Sequence, residues 1–184
     1  ADCPEDEMAL FDLGPALNPG VFVAAAVFLG LFVLGIIERR RHRRNLAALP
    51  LRISVNGSRG KSTVTRLLTG ALAAGGMRAL GKTTGTEARI VRGWDGTEVE
   101  VRRRPECPNI LEQKLMMARG VREGADAIVA ECMAVNPEYQ AVFHRELVDA
   151  NFLVVTNALD DHLEEMGPTD GDVADVFASN TPIN

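Results

Sequence analysis

A phosphate-binding chemistry is written most plainly into the run Arg52-Ile53-Ser54-Val55-Asn56-Gly57-Ser58-Arg59-Gly60-Lys61-Ser62-Thr63. A short β-branched strand enters a glycine turn, and a lysine and two hydroxyl residues then open a helix. Backbone N–H groups around Gly57 to Gly60 are placed to converge on phosphate oxygens, aided by the positive end of the helix dipole. Lys61 is placed to reach the outer phosphates, and the Ser62 hydroxyl to sit on a Mg²⁺ ion. The spacing is the short G-x-x-G-K-[ST], since Val55 stands where the longer form of the loop has glycine. The alternative for the same residues is an ordinary turn between a strand and a helix.

Further candidates lie at the ends of other apolar runs. Glu131 closes Ile128-Val129-Ala130, where a carboxylate is costly to bury unless paired or bound to metal. It is either a second Mg²⁺ ligand or one half of a salt bridge to an arginine such as Arg59. His162 follows Asp160 and Asp161; it is a metal ligand, a helix cap or a phosphate-orienting group. Asp161 is a water-mediated metal contact or an N-cap. Thr83, Thr84 and Thr86 offer hydroxyls to a γ-phosphate or a metal, or stabilise a turn. Arg102-Arg103-Arg104 is a binding patch for an acidic substrate or a solvated charge run. Asn136 before Pro137 reads as a helix cap.

The elements that position these residues alternate between strand and helix. Strands are predicted at Leu51–Asn56, Met77–Lys82, Ala127–Cys132 and Phe152–Thr156, the last two as buried strands. Arg89–Arg92 and Glu98–Arg102 read as hairpin arms around Trp94-Asp95-Gly96-Thr97. Helices are predicted at Lys61–Gly75, Asn109–Arg122, Pro137–Leu147 and Asp172–Ala178. In the first, Val64, Leu67, Leu68, Ala71 and Leu72 form the apolar face; in the second, Ile110, Leu111, Leu115 and Ala118 do. This alternation predicts an α/β domain with a mainly parallel, P-loop-type sheet flanked by helices. Ligands of such folds sit beyond the carboxyl ends of the strands. Asn56–Ser62, the threonine loop, Glu131, and Asn157 with Asp160-Asp161-His162 all fall at those ends.

The amino-terminal third is of another kind. Residues 1–18 are acidic, with no basic residue before Arg39. Residues 19–37 are apolar and uncharged, and nineteen helical residues span roughly 28 Å, about the thickness of a bilayer core. Glu38 to Arg44 then holds five arginines in seven residues. The pattern predicts a single transmembrane helix at 19–37 with the arginine side cytoplasmic and residues 1–18 outside. Residues 38–50 read as a basic juxtamembrane linker, and 51–184 as the nucleotide-binding domain. A net charge of −5 gives no general case for nucleic-acid binding. Cys3, Cys107 and Cys132 make no zinc spacing and no disulfide framework.

Val55 to Ser62, Lys82 to Thr86, Glu131 to Gln140, and Asp161-His162 with Met166-Gly167-Pro168 together resemble the ligase subunit of bacterial poly-γ-glutamate synthases (CapB/PgsB type). That subunit is a branch of the Mur ligase superfamily. The Glu131–Gln140 block is the specific part; the phosphate loop alone indicates the superfamily. The resemblance implies ATP- and Mg²⁺-dependent amide formation at a bacterial inner membrane, with glutamate and the growing polymer as substrates and other membrane subunits as partners. It implies Lys61 on the β- and γ-phosphates, Ser62 and Glu131 on Mg²⁺, and His162 on a second metal. Thr84 would stand near the γ-phosphate, with Asn157 and Asp161 lining the site.

Two departures accompany the resemblance. Many Mur-type ligases use a modified lysine after the Asp-His pair, and no lysine follows Lys114 here. The chain also stops inside what would be the central domain, so it reads as a fragment expected to have weak or no ligase activity alone. Competing readings are a membrane-attached P-loop ATPase or kinase, which would turn over without glutamate, and a nucleotide-binding scaffold indifferent to Glu131→Gln.

Overall fold

A computed structural model describes residues 19–85, 87–101, 109, 111–159 and 162–182. The acidic segment 1–18, Thr86, Arg102 to Arg104, Cys107, Ile110, Asp160 and Asp161 lie outside the described residues. The chain divides into two compact units, Ala1–Arg40 and Arg41–Asn184. In the first, helix α1 (Pro19–Ala47) begins; its apolar part has a mean hydropathy of 2.8 over eighteen residues with none of that window buried, long and apolar enough to cross a membrane. The helix does not stop at the arginines but continues to Ala47.

Within the second unit, Leu46 and Leu49 are buried in the core, so the end of the expected linker belongs to the domain. Arg52 explains why. Its guanidinium donates to the carbonyls of Leu46 (3.0 Å) and Leu49 (2.7 Å), capping the helix end, and to Val148 and Asp149 across the fold.

Six strands form one sheet: β1 (Leu51–Asn56), β2 (Ala79–Lys82), β3 (Arg89–Arg92), β4 (Glu98–Glu100), β5 (Ala127–Glu131) and β6 (Phe152–Val155), in the order β4-β3-β2-β5-β1-β6. β2, β5, β1 and β6 are parallel; β3 and β4 add the antiparallel hairpin expected around Trp94 to Thr97. Every residue of the central strand β5 is buried, as its unbroken apolar run requires. Its side chains divide between two cores because they alternate across the sheet. Ile128 and Ala130 meet Leu49, Met116, Met117 and Phe143 on one face. Val129 joins Ile53 and Val55 on the other, against Val64, Leu68 and Leu72 of helix α2 (Lys61–Ala74).

Not every expectation holds: in α2, Leu67 is 67% exposed. Helix α3 (Glu112–Arg122) buries Gln113, Met116, Met117 and Gly120, while Leu111 and Leu115 are 49% and 73% exposed. The helix carries two apolar stripes, and the one containing Gly120 wins because it permits the closest approach. A Cβ there would stand 2.7 Å from the Ile128 side chain. Strand β6 is not buried either: it lies at the edge of the described sheet, with Phe152 58% exposed. The apolar composition of an edge strand and a central one is the same, and only pairing separates them.

The predicted helix 137–147 is two segments, α4 (Pro137–Ala141) and a π-helical turn (Val142–Leu147). Asn136 does cap α4, its Oδ1 accepting the Glu138 N–H at 2.9 Å. Helices α5 (Leu163–Met166) and α6 (Asp170–Ser179) close the described chain around Met166, Val173 and Phe177.

Candidate functional site

The parallel register brings the chemistry-bearing residues to one edge of the sheet. Val55 pairs with Glu131, Lys82 with Ala130, and Asn56 with Val155, so β1, β2, β5 and β6 end at nearly one level. Beyond those ends opens a cleft of about 550 Å³. Asn56, Gly57, Ser58, Arg59, Gly60, Lys61, Ser62 and Thr63 line it, as do Thr84, Glu131 and His162. Asn157 stands behind the loop and holds it in shape.

The loop is built by reciprocal bonds with the chain after β6. The Ser58 N–H donates to the Asn157 carbonyl (3.2 Å), and the Arg59 N–H to Asn157 Oδ1 (3.0 Å). Ser58 Oγ donates to the Leu159 carbonyl (2.8 Å) and accepts from its N–H (3.0 Å). The Gly57 N–H is taken by Asn56 Oδ1 at 2.9 Å. Three of the amides expected to face phosphate are therefore occupied within the protein. The amides placed to meet an anion are instead those of the first turn of α2, where the N–H groups of Lys61, Ser62 and Thr63 have no partner inside the helix.

Gly57 (φ +125°) runs so close to the chain after β6 that a Cβ would collide with Thr156 Oγ1 and lie 2.9 Å from the Asn157 carbonyl. Gly60 caps α2 in the left-handed region (φ 81°), which turns the chain from loop to helix within one residue. Lys61 folds back over the loop, its Nζ donating to the carbonyls of Gly57 (2.5 Å) and Ser58 (3.2 Å).

Glu131 is buried at 3% exposure, and Arg59 is not among its hydrogen-bond partners. Its Oε2 accepts the Ser62 hydroxyl at 2.8 Å and the Thr84 N–H at 2.9 Å. The loop, the threonine segment and the central strand thus meet on one carboxylate oxygen. The Ser62 Oγ and the Glu131 carboxylate are hard oxygen donors side by side, the donor chemistry that Mg²⁺ takes. Among the described residues no three His, Cys, Asp or Glu side chains gather to hold a metal by themselves. His162 is exposed at the N-terminus of α5 in the left-handed region (φ 52°), and its side chain makes no cap bond there. Cys132, behind Glu131, is pushed up to about 12 by burial, so its thiol stays protonated and inert.

Several residues in and under the cleft were not singled out from sequence. Met133, Val135, Met166 and Phe177 give it an apolar end. Beneath the loop Asn56, which the sequence did place with the loop, joins a buried polar group with Ser54, Gln140 and His144. Lys82, 1% exposed by side chain, pairs with Glu112 at 3.0 Å. A signal existed for one of these: Gln140 and His144 are four residues apart, on the same face as Phe143 and Leu147, where apolar residues belong.

A mainly parallel sheet with a lysine-bearing glycine loop at its carboxyl edge, faced by a buried carboxylate, defines an α/β domain of the P-loop kind. Residues 55–178 match the Mur ligase middle domain, and the chain belongs to that family. It is 51% identical over 165 residues to the PGA synthase CapB of Bacillus subtilis (strain 168), covering 89% of this chain and 41% of that protein. It is 41% identical over 164 residues to the capsule biosynthesis protein CapB of Bacillus anthracis, covering 89% of this chain and 35% of that one. The chain therefore spans less than half the length of these curated relatives.

Proposed function

We propose that this chain is the nucleotide-binding part of a membrane-anchored, ATP-dependent amide ligase that extends poly-γ-glutamate. The observation that carries the reading is the meeting of Ser62, Thr84 and Glu131 beside the Lys61 loop, in a Mur ligase domain. The names of the two relatives, a PGA synthase and a capsule biosynthesis protein, agree with such a product.

On this reading Lys61 leaves its loop carbonyls to bridge the β- and γ-phosphates, and the first-turn amides of α2 hold the remaining oxygens. Ser62 and Glu131 hold Mg²⁺, which would screen the charge of the phosphates when bound. Thr84 stands near the γ-phosphate, and His162 serves a second cation. The strained backbone of His162 supports a functional role, since left-handed non-glycine residues persist where a site requires them. The polymer's terminal carboxylate attacks the γ-phosphorus, ADP departs, and an acyl phosphate forms. A glutamate amine then attacks the acyl carbon; the C–O bond to phosphate breaks and the amine's proton passes to solvent. The protein's contribution is positioning and charge neutralisation. Helix α1 anchors the domain in the inner membrane, with the arginines on the cytoplasmic side, and other membrane subunits complete synthesis and export.

The test is glutamate-dependent ADP release by the complete protein in membranes with its neighbouring subunits, wild type against Lys61→Ala and Glu131→Gln. Release that requires glutamate, accompanies polymer and is lost in both variants establishes the ligase. Release indifferent to glutamate refutes it in favour of an ATPase.

A further inference from the structure

The polar group buried under the phosphate loop has no part in the chemistry above, yet its bonds run directly to the loop. Asn56 is the last residue of β1 and is 2% exposed. Its Nδ2 donates to Gln140 Oε1 at 2.8 Å and stands 3.2 Å from His144 Nε2. With both amide protons so engaged, the side chain has one orientation, and its Oδ1 points at the Gly57 N–H, 2.9 Å away. An amide turned over would set its NH₂ against the Gly57 N–H, donor against donor.

His144 completes the arrangement from the other side. Its Nδ1 lies 2.6 Å from Ser54 Oγ, two residues back along β1. Nε2 accepts from Asn56 only when it carries no proton, so the ring proton sits on Nδ1, facing Ser54. Burial first, and then the charge of Arg145, pulls His144 down to about 4, which keeps it neutral at working pH. The π-helical turn accounts for its place: Phe143, His144 and Leu147 are all buried, and the wider turn lets the imidazole face β1 beside the apolar pair.

We propose that His144 is a positioning residue that acts through Asn56 to fix the Gly57 amide, and with it the phosphate loop, in the form that receives the nucleotide. The nucleotide part of this inference rests on the function proposed above. The loop-positioning part does not, and the experiment separates the two.

Two amide variants of different reach divide the ring's two bonds. In His144→Gln the side-chain oxygen reaches the place of Nε2 and still accepts from Asn56. In His144→Asn the shorter amide reaches only toward Ser54. The complete protein in nanodiscs is measured without nucleotide by hydrogen exchange over residues 56–60, and with Mg²⁺ATP by titration. His144→Asn is expected to raise exchange at the loop and weaken nucleotide binding about tenfold, the worth of one buried hydrogen bond. His144→Gln is expected to restore both to within about threefold of wild type. A merely structural histidine would give loop exchange and nucleotide affinity that only follow each variant's melting temperature, and that result overturns the proposal. Loop exchange unchanged in both variants overturns it as well. If the wild type binds no nucleotide but the exchange difference is present, the positioning role stands and the proposed function falls.

Discussion

Replacing Gly57 by alanine probes the closest approach in the site. The new Cβ would collide with Thr156 Oγ1 and lie 2.9 Å from the Asn157 carbonyl, in a backbone conformation with φ +125°. The backbone strain costs about 1–3 kcal/mol. Relieving the contact moves Thr156 away from the carbonyls of Arg59 (2.6 Å) and Asn56 (3.3 Å) and loosens the Ser58 N–H bond to Asn157 (3.2 Å). The Thr156 hydroxyl has one proton to give, so it counts for about 1 kcal/mol and the Ser58 N–H for about 1 kcal/mol; with the strain the total is roughly 4 kcal/mol. For a domain of this size that lowers the melting temperature by about 10 °C. Gly76→Ala is the internal reference: its φ is +87° but nothing lies within 4 Å of the added carbon. Only strain remains there, about 1 kcal/mol and about 3 °C. The assay is thermal unfolding of the two variants beside wild type, followed by nucleotide titration, in which Gly57→Ala alone loses binding. Equal melting temperatures for the two would refute the claim that contact with the chain after β6 holds the loop.

Three other outcomes follow from the same geometry. Lys61→Ala should leave the melting temperature within about 2 °C of wild type, because its two bonds to loop carbonyls are partly exposed, while nucleotide affinity falls at least about tenfold in a titration. Lys82→Met removes the buried ammonium that pairs with Glu112 at 3.0 Å and should cost about 3 kcal/mol in denaturant unfolding. Glu123 is held down to about 2, chiefly by its hydrogen bond to Arg92 and also by Arg119. A carboxyl so depressed stabilises the fold above its ordinary value near 4.5 and loses that contribution as pH falls toward 2. The gap in melting temperature between wild type and Glu123→Gln should therefore be full at pH 7 and close progressively below pH 4.5.

The local features of this protein were legible in its residues. The start of α2 at Lys61, the Asn136 cap and the hairpin around Trp94 to Thr97 each rest on contacts a few residues apart, and short-range sterics and hydrogen bonding decide them. So does the long apolar run of α1, whose helicity needs no partner. The parallel character of the sheet was legible too, because strands separated by helices have few other ways to pair.

What required the tertiary structure is every choice between equivalent surfaces. Leu111 and Leu115 or Met116 and Met117 are equally apolar stripes of α3, and only the fit of Gly120 against Ile128 selects between them. Phe152 to Val155 reads like Ala127 to Glu131 until pairing sets one at an edge and the other at the centre. The amides of Gly57 to Arg59 look available to phosphate until Asn56 and Asn157 are seen to take them. The link from His144 to the loop joins residues 88 apart in the chain. Sequence determined which groups this protein gathers at the carboxyl edge of its sheet; three-dimensional packing determined which of them are left with a hydrogen bond to give, because a donor's availability depends on neighbours that the chain supplies from far away.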